Sequence, residues 1–105
     1  MVVGSKGGPR IITAVLQIII NVIDHGMNIR QAIDLPKVHH QWLPDEIRLE
    51  PFAAPSDVVR ALEAKGHEVT ELGEYGNAMG IVVDRTAGEL FGAADARGVG
   101  AAVAY

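Results

Sequence analysis

The longest hydrophobic segment of the chain predicts its principal helix. Residues 11–23 are apolar except at Thr13, Gln17 and Asn21. Together with Asp24, these polar positions recur at spacings of four, four and three, so they fall on one narrow line along a helix. A helix with a single polar line is apolar around most of its circumference. We therefore expect it to be mostly buried.

Proline and glycine mark the two ends of this helix. Pro9 is well placed as its first residue, because the N–H that proline lacks would be unbonded there in any case. Gly26 is expected to take the left-handed conformation that ends it. We predict a helix over residues 9–25, preceded by a short strand at residues 2–3.

Two further helices are indicated by their terminal residues. Asn28 and Gln31 have the spacing of a capping box, which predicts a short second helix that must stop before Pro36. Ser56 is predicted to cap a third helix, and Gly66 to end it.

The strands are expected on both sides of the third helix. Residues 46–50 alternate charged and apolar side chains, as a half-exposed strand does. Residues 78–84 and 89–94 are β-prone and are joined by residues 85–88, which predicts a hairpin with a glycine at its turn. A last strand is expected at residues 101–105. The order of elements indicates a mixed α/β (α+β) fold.

Composition and charge narrow the class of protein. With 105 residues, 49% of them apolar, residues 1–105 suit a single compact domain or part of a larger one. The net charge is -4 and the basic residues are scattered, so we expect no nucleic-acid partner. Cys is absent, which rules out a disulfide framework and a thiol nucleophile. Residues 11–23 are too few to span a bilayer, and the N-terminus does not have the pattern of a signal peptide.

The segment from Gly4 to Arg10 carries the strongest chemical signal. Adjacent glycines ahead of a helix can turn successive backbone N–H groups toward one point, where the helix dipole also favours negative charge. A phosphate, a carboxylate or a transient oxyanion fits such a site equally, and a simple tight turn is the alternative. The order of residues matches neither a P-loop nor a dinucleotide-binding fingerprint.

Several segments resemble gamma-glutamyltransferases in their order and spacing. The resemblance rests on GSKGGPR at positions 4–10, VHHQWLPDE at 38–46, LEAKGH at 62–67 and GELFGAAD at 88–95. It spans nearly the whole chain and identifies it as the C-terminal part of a small catalytic subunit, a segment of the αββα N-terminal-nucleophile hydrolase fold. Lys6 and Pro9 depart from the proline and serine that the family commonly has there.

The resemblance also implies an activity and partners. A threonine freed by self-cleavage attacks the gamma-glutamyl amide of donors such as glutathione, and water or an acceptor amino acid or peptide resolves the acyl-enzyme. The amides of Gly7 and Gly8 form the oxyanion hole and contact the substrate. No cofactor or metal is implied, and the partners are the large subunit and the upstream part of the small subunit. Family members are often periplasmic or secreted.

The nucleophile itself is expected upstream of this chain. A threonine that uses its own α-amine as base must be the first residue of its chain, so Thr13, Thr70 and Thr86 are excluded. We therefore expect the isolated chain to be inactive and, with sheet edges and apolar surface uncovered, to self-associate. The alternative is a non-catalytic module that binds carboxylates or serves in assembly.

Four other residues have side chains suited to binding. His39 and His40 are adjacent, so in an extended segment they point to opposite faces, and without further ligands at zinc-site spacing they are expected to be structural or surface residues. Trp42 is expected to pack against the long helix. For Arg10, contact with an anionic substrate group and a free position at the helix start are both open.

Overall fold

The computed structural model describes residues 1–103. It contains three helices and six strands in a mixed α/β order, as the sequence predicts. Their bounds are β1 (Val2–Gly4), α1 (Arg10–Ile23), α2 (Ile29–Asp34), β2 (Val38–His39), β3 (Ile47–Leu49), α3 (Ser56–Ala64), β4 (Val69–Glu71), β5 (Met79–Asp84) and β6 (Glu89–Ala94). No helix within residues 1–103 has the length and apolar character needed to cross a bilayer.

The strands form two three-stranded sheets. In the first sheet, β5 lies between β1 and β6 and is antiparallel to both. The β5–β6 hairpin runs from the pair Met79 and Ala94 to the pair Asp84 and Glu89, and Gly88 in its turn has a φ of 72°. The predicted hairpin is therefore confirmed. In the second sheet, β3 pairs antiparallel with β2 and parallel with β4.

The hydrophobic core lies where α1 and α2 cover one face of the first sheet. Ile18 and Ile33 are fully buried there against Ala78 and Ala93. The helices approach β5 so closely that a Cβ at Gly80 would lie 2.7 Å from Cδ1 of Ile29. Glycine at this position therefore sets the spacing between helix and sheet.

The opposite face of the first sheet is apolar and open. Residues paired across antiparallel strands share a face, so the pairing of β1, β5 and β6 places five large apolar side chains together. All five are exposed: Val2, Met79, Ile81, Val83 and Leu90. This set is called the open sheet face below.

The long helix is less buried than its composition suggests. It begins at Arg10, directly after Pro9, and only Ala14 and Ile18 on it are fully buried. Ile12 and Leu16 are 73% and 52% exposed, so the expectation of a mostly buried helix is wrong for this chain. One sheet can cover only one side of a helix, and the remaining apolar side faces away from it.

The polar line of α1 faces β2. Gln17 Nε2 donates to the carbonyl oxygen of Val38 at 2.7 Å, and the Val38 N–H donates to Gln17 Oε1 at 2.9 Å. The hydroxyl of Thr13 lies 2.7 Å from Nδ1 of His39. Polar residues placed at helical spacing thus join the helix to the second sheet.

Helix termini match the sequence in part. Asn28 and Gln31 form the predicted capping box at the start of α2. Gly26 and Gly66 take positive φ values of 65° and 93° after α1 and α3, as predicted. Ser56, however, is the first residue of α3 rather than its cap, because Pro55 already occupies the extended N-cap position.

Two other expectations are wrong. Trp42 is 75% exposed and has a positive φ of 74°, which turns it away from α1 instead of packing it there. Residues 101–103 form no strand. Within residues 1–103, the first sheet ends at β6, which pairs with β5 alone. The end of that predicted strand, residues 104–105, lies outside the described residues.

Candidate functional site

The glycine turn connects β1 to α1. The ladder between β1 and β5 ends at Gly4, so the turn that follows lies outside the sheet. Gly7 and Gly8 have φ values of 134° and 60°, and the first of these is closed to residues with a side chain. The N–H of Arg10 donates to the Gly7 carbonyl at 3.3 Å, and that of Ile11 to the Gly8 carbonyl at 3.0 Å.

The two glycine amides are available to a ligand. Both glycines are exposed, and within residues 1–103 neither N–H donates to a protein acceptor. The start of α1 has no capping side chain and no acidic residue in its first turn. The positive end of the helix dipole is therefore not offset locally, and this turn suits a group that carries or develops negative charge.

Arg10 does not extend freely from the helix start. Its guanidinium carbon lies 5.7 Å from the centroid of the Tyr75 ring, in the geometry of a cation–π contact. Tyr75 is buried, and burial raises the pKa of its phenol. The Tyr75 hydroxyl donates to the Val38 carbonyl at 3.3 Å. The aromatic ring thus links the glycine turn to the second sheet.

A buried ionic cluster lies next to Tyr75. Arg97 Nε and Nη2 donate to the two carboxylate oxygens of Glu50 at 3.1 and 2.9 Å, and Nη1 donates to Asp95 Oδ1 at 2.9 Å. Glu50 and Asp95 are each only 2% exposed. The remaining acceptors of Arg97 are backbone carbonyls at the end of α2, those of Ile33, Asp34 and Leu35. This set of Glu50, Asp95 and Arg97 is called the buried ionic cluster below.

The protonation states in the cluster follow from its hydrogen bonds. Burial by itself would raise the pKa of Asp95, but hydrogen bonds from the backbone N–H groups of Ala78 and Arg97 and from the Arg97 guanidinium outweigh it and hold that pKa below its usual value. Burial would lower the pKa of Arg97, but its hydrogen bonds to Asp95 and Glu50 outweigh that and raise it. Asp95 and Arg97 are therefore both charged at neutral pH.

Lys37 lies beside the cluster and is also buried. Its ammonium group donates to the carbonyls of Ile33 and Leu35 at 2.6 and 3.1 Å. Burial and the nearby charge of Arg97 lower the pKa of Lys37. No local pattern predicts this arrangement, because Lys37 follows Pro36 in a segment without regular alternation.

The adjacent histidines have different surroundings. His39 is 2% exposed and lies between the Thr13 hydroxyl and Gln41 Oε1, 2.9 Å from its Nε2. His40 is exposed and lies 3.0 Å from Asp45 Oδ1. One side chain is buried and the other is exposed, as expected for adjacent residues that point to opposite faces.

Comparisons with known proteins agree on one family. The sequence model of the family described as Gamma-glutamyltranspeptidase matches residues 1–105. The chain is 48% identical over 99 residues to the glutathione hydrolase proenzyme of Escherichia coli strain K12, which covers 94% of this chain and 17% of that protein. It is 35% identical over 101 residues to the Acylase ACY 1 proenzyme of Pseudomonas sp. strain V22, covering 96% of this chain and 18% of that protein.

A solved structure extends this agreement to the fold. The gamma-glutamyltranspeptidase of Pseudomonas nitroreducens complexed with L-DON superposes with a TM-score of 0.87 at 32% identity. The superposition covers 98% of this chain and 54% of that one. The chain thus has the fold of part of an N-terminal-nucleophile hydrolase, and it spans 17% of the length of the Escherichia coli relative. The match over the whole chain and the identity to these relatives show that the chain belongs to the gamma-glutamyltranspeptidase family.

Proposed function

We propose that the chain is the C-terminal part of the small subunit of a gamma-glutamyltransferase, in which the Gly7 and Gly8 amides form the oxyanion hole. The complete enzyme cleaves the gamma-glutamyl bond of glutathione or a related donor. It transfers the acyl group to water or to an amino acid or peptide. The threonine nucleophile and the residues that hold the donor's α-carboxylate and α-amine come from the upstream part of the polypeptide.

The observation that carries this proposal is the state of the glycine amides at the start of α1. Both are exposed, both lie beyond the end of the β1 ladder, and neither has a protein acceptor within residues 1–103. Attack on an amide carbonyl produces a tetrahedral oxyanion, which needs donors that are in place before the charge develops. A backbone turn supplies them without reorganising any side chain.

The expected energetic contribution is large enough to measure. Removing one donor from an oxyanion hole typically lowers kcat by about 100- to 1000-fold, roughly 3 to 4 kcal/mol of barrier. The dipole of the 14-residue helix α1 also favours negative charge at this turn. Since the oxyanion exists only in the transition state and intermediate, the effect is expected on kcat more than on KM.

The test uses the complete polypeptide that contains this chain and measures release from a gamma-glutamyl anilide. Gly8→Pro removes the N–H and cannot adopt the φ of 60°, so we expect turnover to fall by at least about 100-fold. Gly8→Ala keeps the N–H and can visit the left-handed region at a cost of about 1 to 2 kcal/mol, so we expect a much smaller loss.

The matched control is Gly73→Ala, because a Cβ there has no atom within 4 Å and the φ of Gly73 lies outside the left-handed range. Control and wild type should have equal turnover. Unchanged turnover in Gly8→Pro would contradict the proposed hole. A complete polypeptide that binds gamma-glutamyl compounds without cleaving them would instead support a non-catalytic module.

A further inference from the structure

One loop segment lies against both sides of the glycine turn. Ahead of the turn, the Asn77 N–H donates to Oγ of Ser5 at 3.4 Å in a partly buried position. After the turn, the Tyr75 ring carries the guanidinium of Arg10 on its face. Both glycines of the turn therefore lie between two contacts with the same three-residue segment, Tyr75–Asn77.

The middle residue of the segment makes the closest approach. Gly76 has a φ of 85°, and a Cβ there would lie 3.1 Å from Oγ of Ser5 and 3.7 Å from the carbonyl oxygen of Lys6. A side chain would press on the residues that lead into the turn. The segment and the turn thus pack almost backbone to backbone, which is a reason for glycine at this position.

The segment is itself anchored at both ends by buried carboxylates. Glu50 Oε1 accepts the Tyr75 N–H at 2.7 Å, and Asp95 Oδ2 accepts the Ala78 N–H at 3.0 Å. Both acids belong to the buried ionic cluster, where Arg97 holds them. Backbone groups bonded to fixed, buried acceptors have little freedom to move.

We propose that Tyr75–Asn77 is a positioning element for the glycine turn, with Ser5 and Tyr75 as positioning residues that orient the Gly7 and Gly8 amides. Two adjacent glycines have the widest range of backbone conformations of any residue pair, so the sequence of the turn does not fix its own geometry. Contacts on both flanks, anchored to a buried cluster, remove that freedom. This inference rests on the proposed function, since orientation matters because the amides stabilise an oxyanion.

The first experiment measures order in the turn directly, in the complete polypeptide labelled with ¹⁵N-glycine, by ¹⁵N relaxation of the two glycine amides. Ser5→Ala removes the acceptor of the Asn77 N–H, and Tyr75→Leu removes the ring under Arg10. We expect the order parameters of both glycines to fall from about 0.85 to below about 0.6 in either variant. Ser56→Ala, which deletes an exposed serine hydroxyl at the start of α3, is the matched control and should leave them unchanged.

The second experiment measures catalysis in the complete polypeptide. The kcat is expressed per active site counted from the acyl-enzyme burst, so that partial unfolding does not count as a catalytic defect. We expect Ser5→Ala and Tyr75→Leu to lower kcat roughly tenfold with KM within about twofold, because misplaced donors weaken transition-state binding alone. Tyr75→Phe keeps the ring under Arg10 and loses the hydroxyl that donates to the Val38 carbonyl, so it should retain most of the wild-type kcat.

The outcomes separate this inference from the proposed function. Unchanged glycine order parameters in both variants would overturn the positioning role. So would an unchanged kcat per active site in Ser5→Ala and Tyr75→Leu when Gly8→Pro abolishes turnover. If Gly8→Pro itself turns over normally, the proposed function fails, and the order parameters alone decide whether the segment orders the turn.

Discussion

The buried ionic cluster makes a quantitative prediction at Glu50. Its two carboxylate oxygens accept four hydrogen bonds: Oε1 from the N–H of Tyr75 and Nε of Arg97, and Oε2 from the N–H of Lys37 and Nη2 of Arg97. In Glu50→Gln, an NH₂ group replaces one of the two carboxylate oxygens. A hydrogen-bond donor then faces the two donors from which that oxygen accepted. One backbone N–H then loses its acceptor, and Arg97 loses one of its two anionic partners.

The magnitude follows from these two losses. A buried N–H without an acceptor costs about 1 to 3 kcal/mol. Removing one partner of a buried ion pair costs about 3 to 5 kcal/mol, and here the lower end applies because Asp95 and three carbonyls still hold Arg97. Since the two effects share the same atoms, they do not add fully. We expect the free energy of unfolding to fall by about 3 kcal/mol.

The assay is urea unfolding of the 105-residue chain followed by circular dichroism, with Glu63→Gln as the control. Glu63 is exposed on α3, so the same change of chemistry there should alter stability by less than about 0.5 kcal/mol. Equal slopes with a lower midpoint would show a change of stability rather than of the unfolded state. A loss below about 1 kcal/mol in Glu50→Gln would refute the inference that the hydrogen bonds of Glu50 stabilise the fold.

Three further predictions concern packing, pH and association. Gly80→Ala, which overlaps Ile29 in the core, should destabilise the chain by about 1 to 3 kcal/mol in urea unfolding; wild-type stability would show that the helices can move away. Because the pKa of Asp95 is lowered in the fold, its contribution to stability is present above the ordinary carboxyl pKa of about 4 and is lost as pH falls below it. The free energy of unfolding, measured from pH 7 to 2, should therefore fall less steeply in Asp95→Asn than in wild type. An identical decrease in both proteins would contradict this. The chain should self-associate through the open sheet face, and light scattering should show less association for Ile81→Lys; a wild-type monomer at high concentration would count against this.

Local signals in the sequence predicted the regular elements well. Asn28 and Gln31 form a capping box because both partners lie within one helical turn. The β5–β6 hairpin was predictable because strand preference and a turn glycine are contiguous in the chain. The glycine turn was identified as the most informative segment, and its position between β1 and α1 follows from the same local pattern.

The buried ionic cluster could not be read from local patterns. Glu50 and Arg97 are 47 residues apart, and nothing near either residue indicates the other. Isolated charges on short elements are usually solvated, so a sequence argument assigns them to the surface. Glu50 ends the alternating segment directly before Pro51. Its place at the end of that segment does not determine whether its side chain is buried.

The short strand β2 was missed for a related reason. It has only two residues, Val38 and His39, and a run of that length has no detectable alternation. Its partners are β3 on one side and the side chains of α1 on the other. The polar line of α1 was visible in the sequence, but the surface it contacts was not.

The contact between Gln17 and Val38 has a consequence for how this protein can assemble. The Gln17 amide both donates to and accepts from the backbone of Val38, as a neighbouring strand would. It therefore occupies the free edge of β2. A further strand could pair with that edge only if it displaced Gln17 of α1. Addition of a strand to the second sheet is therefore expected at its other edge, along β4.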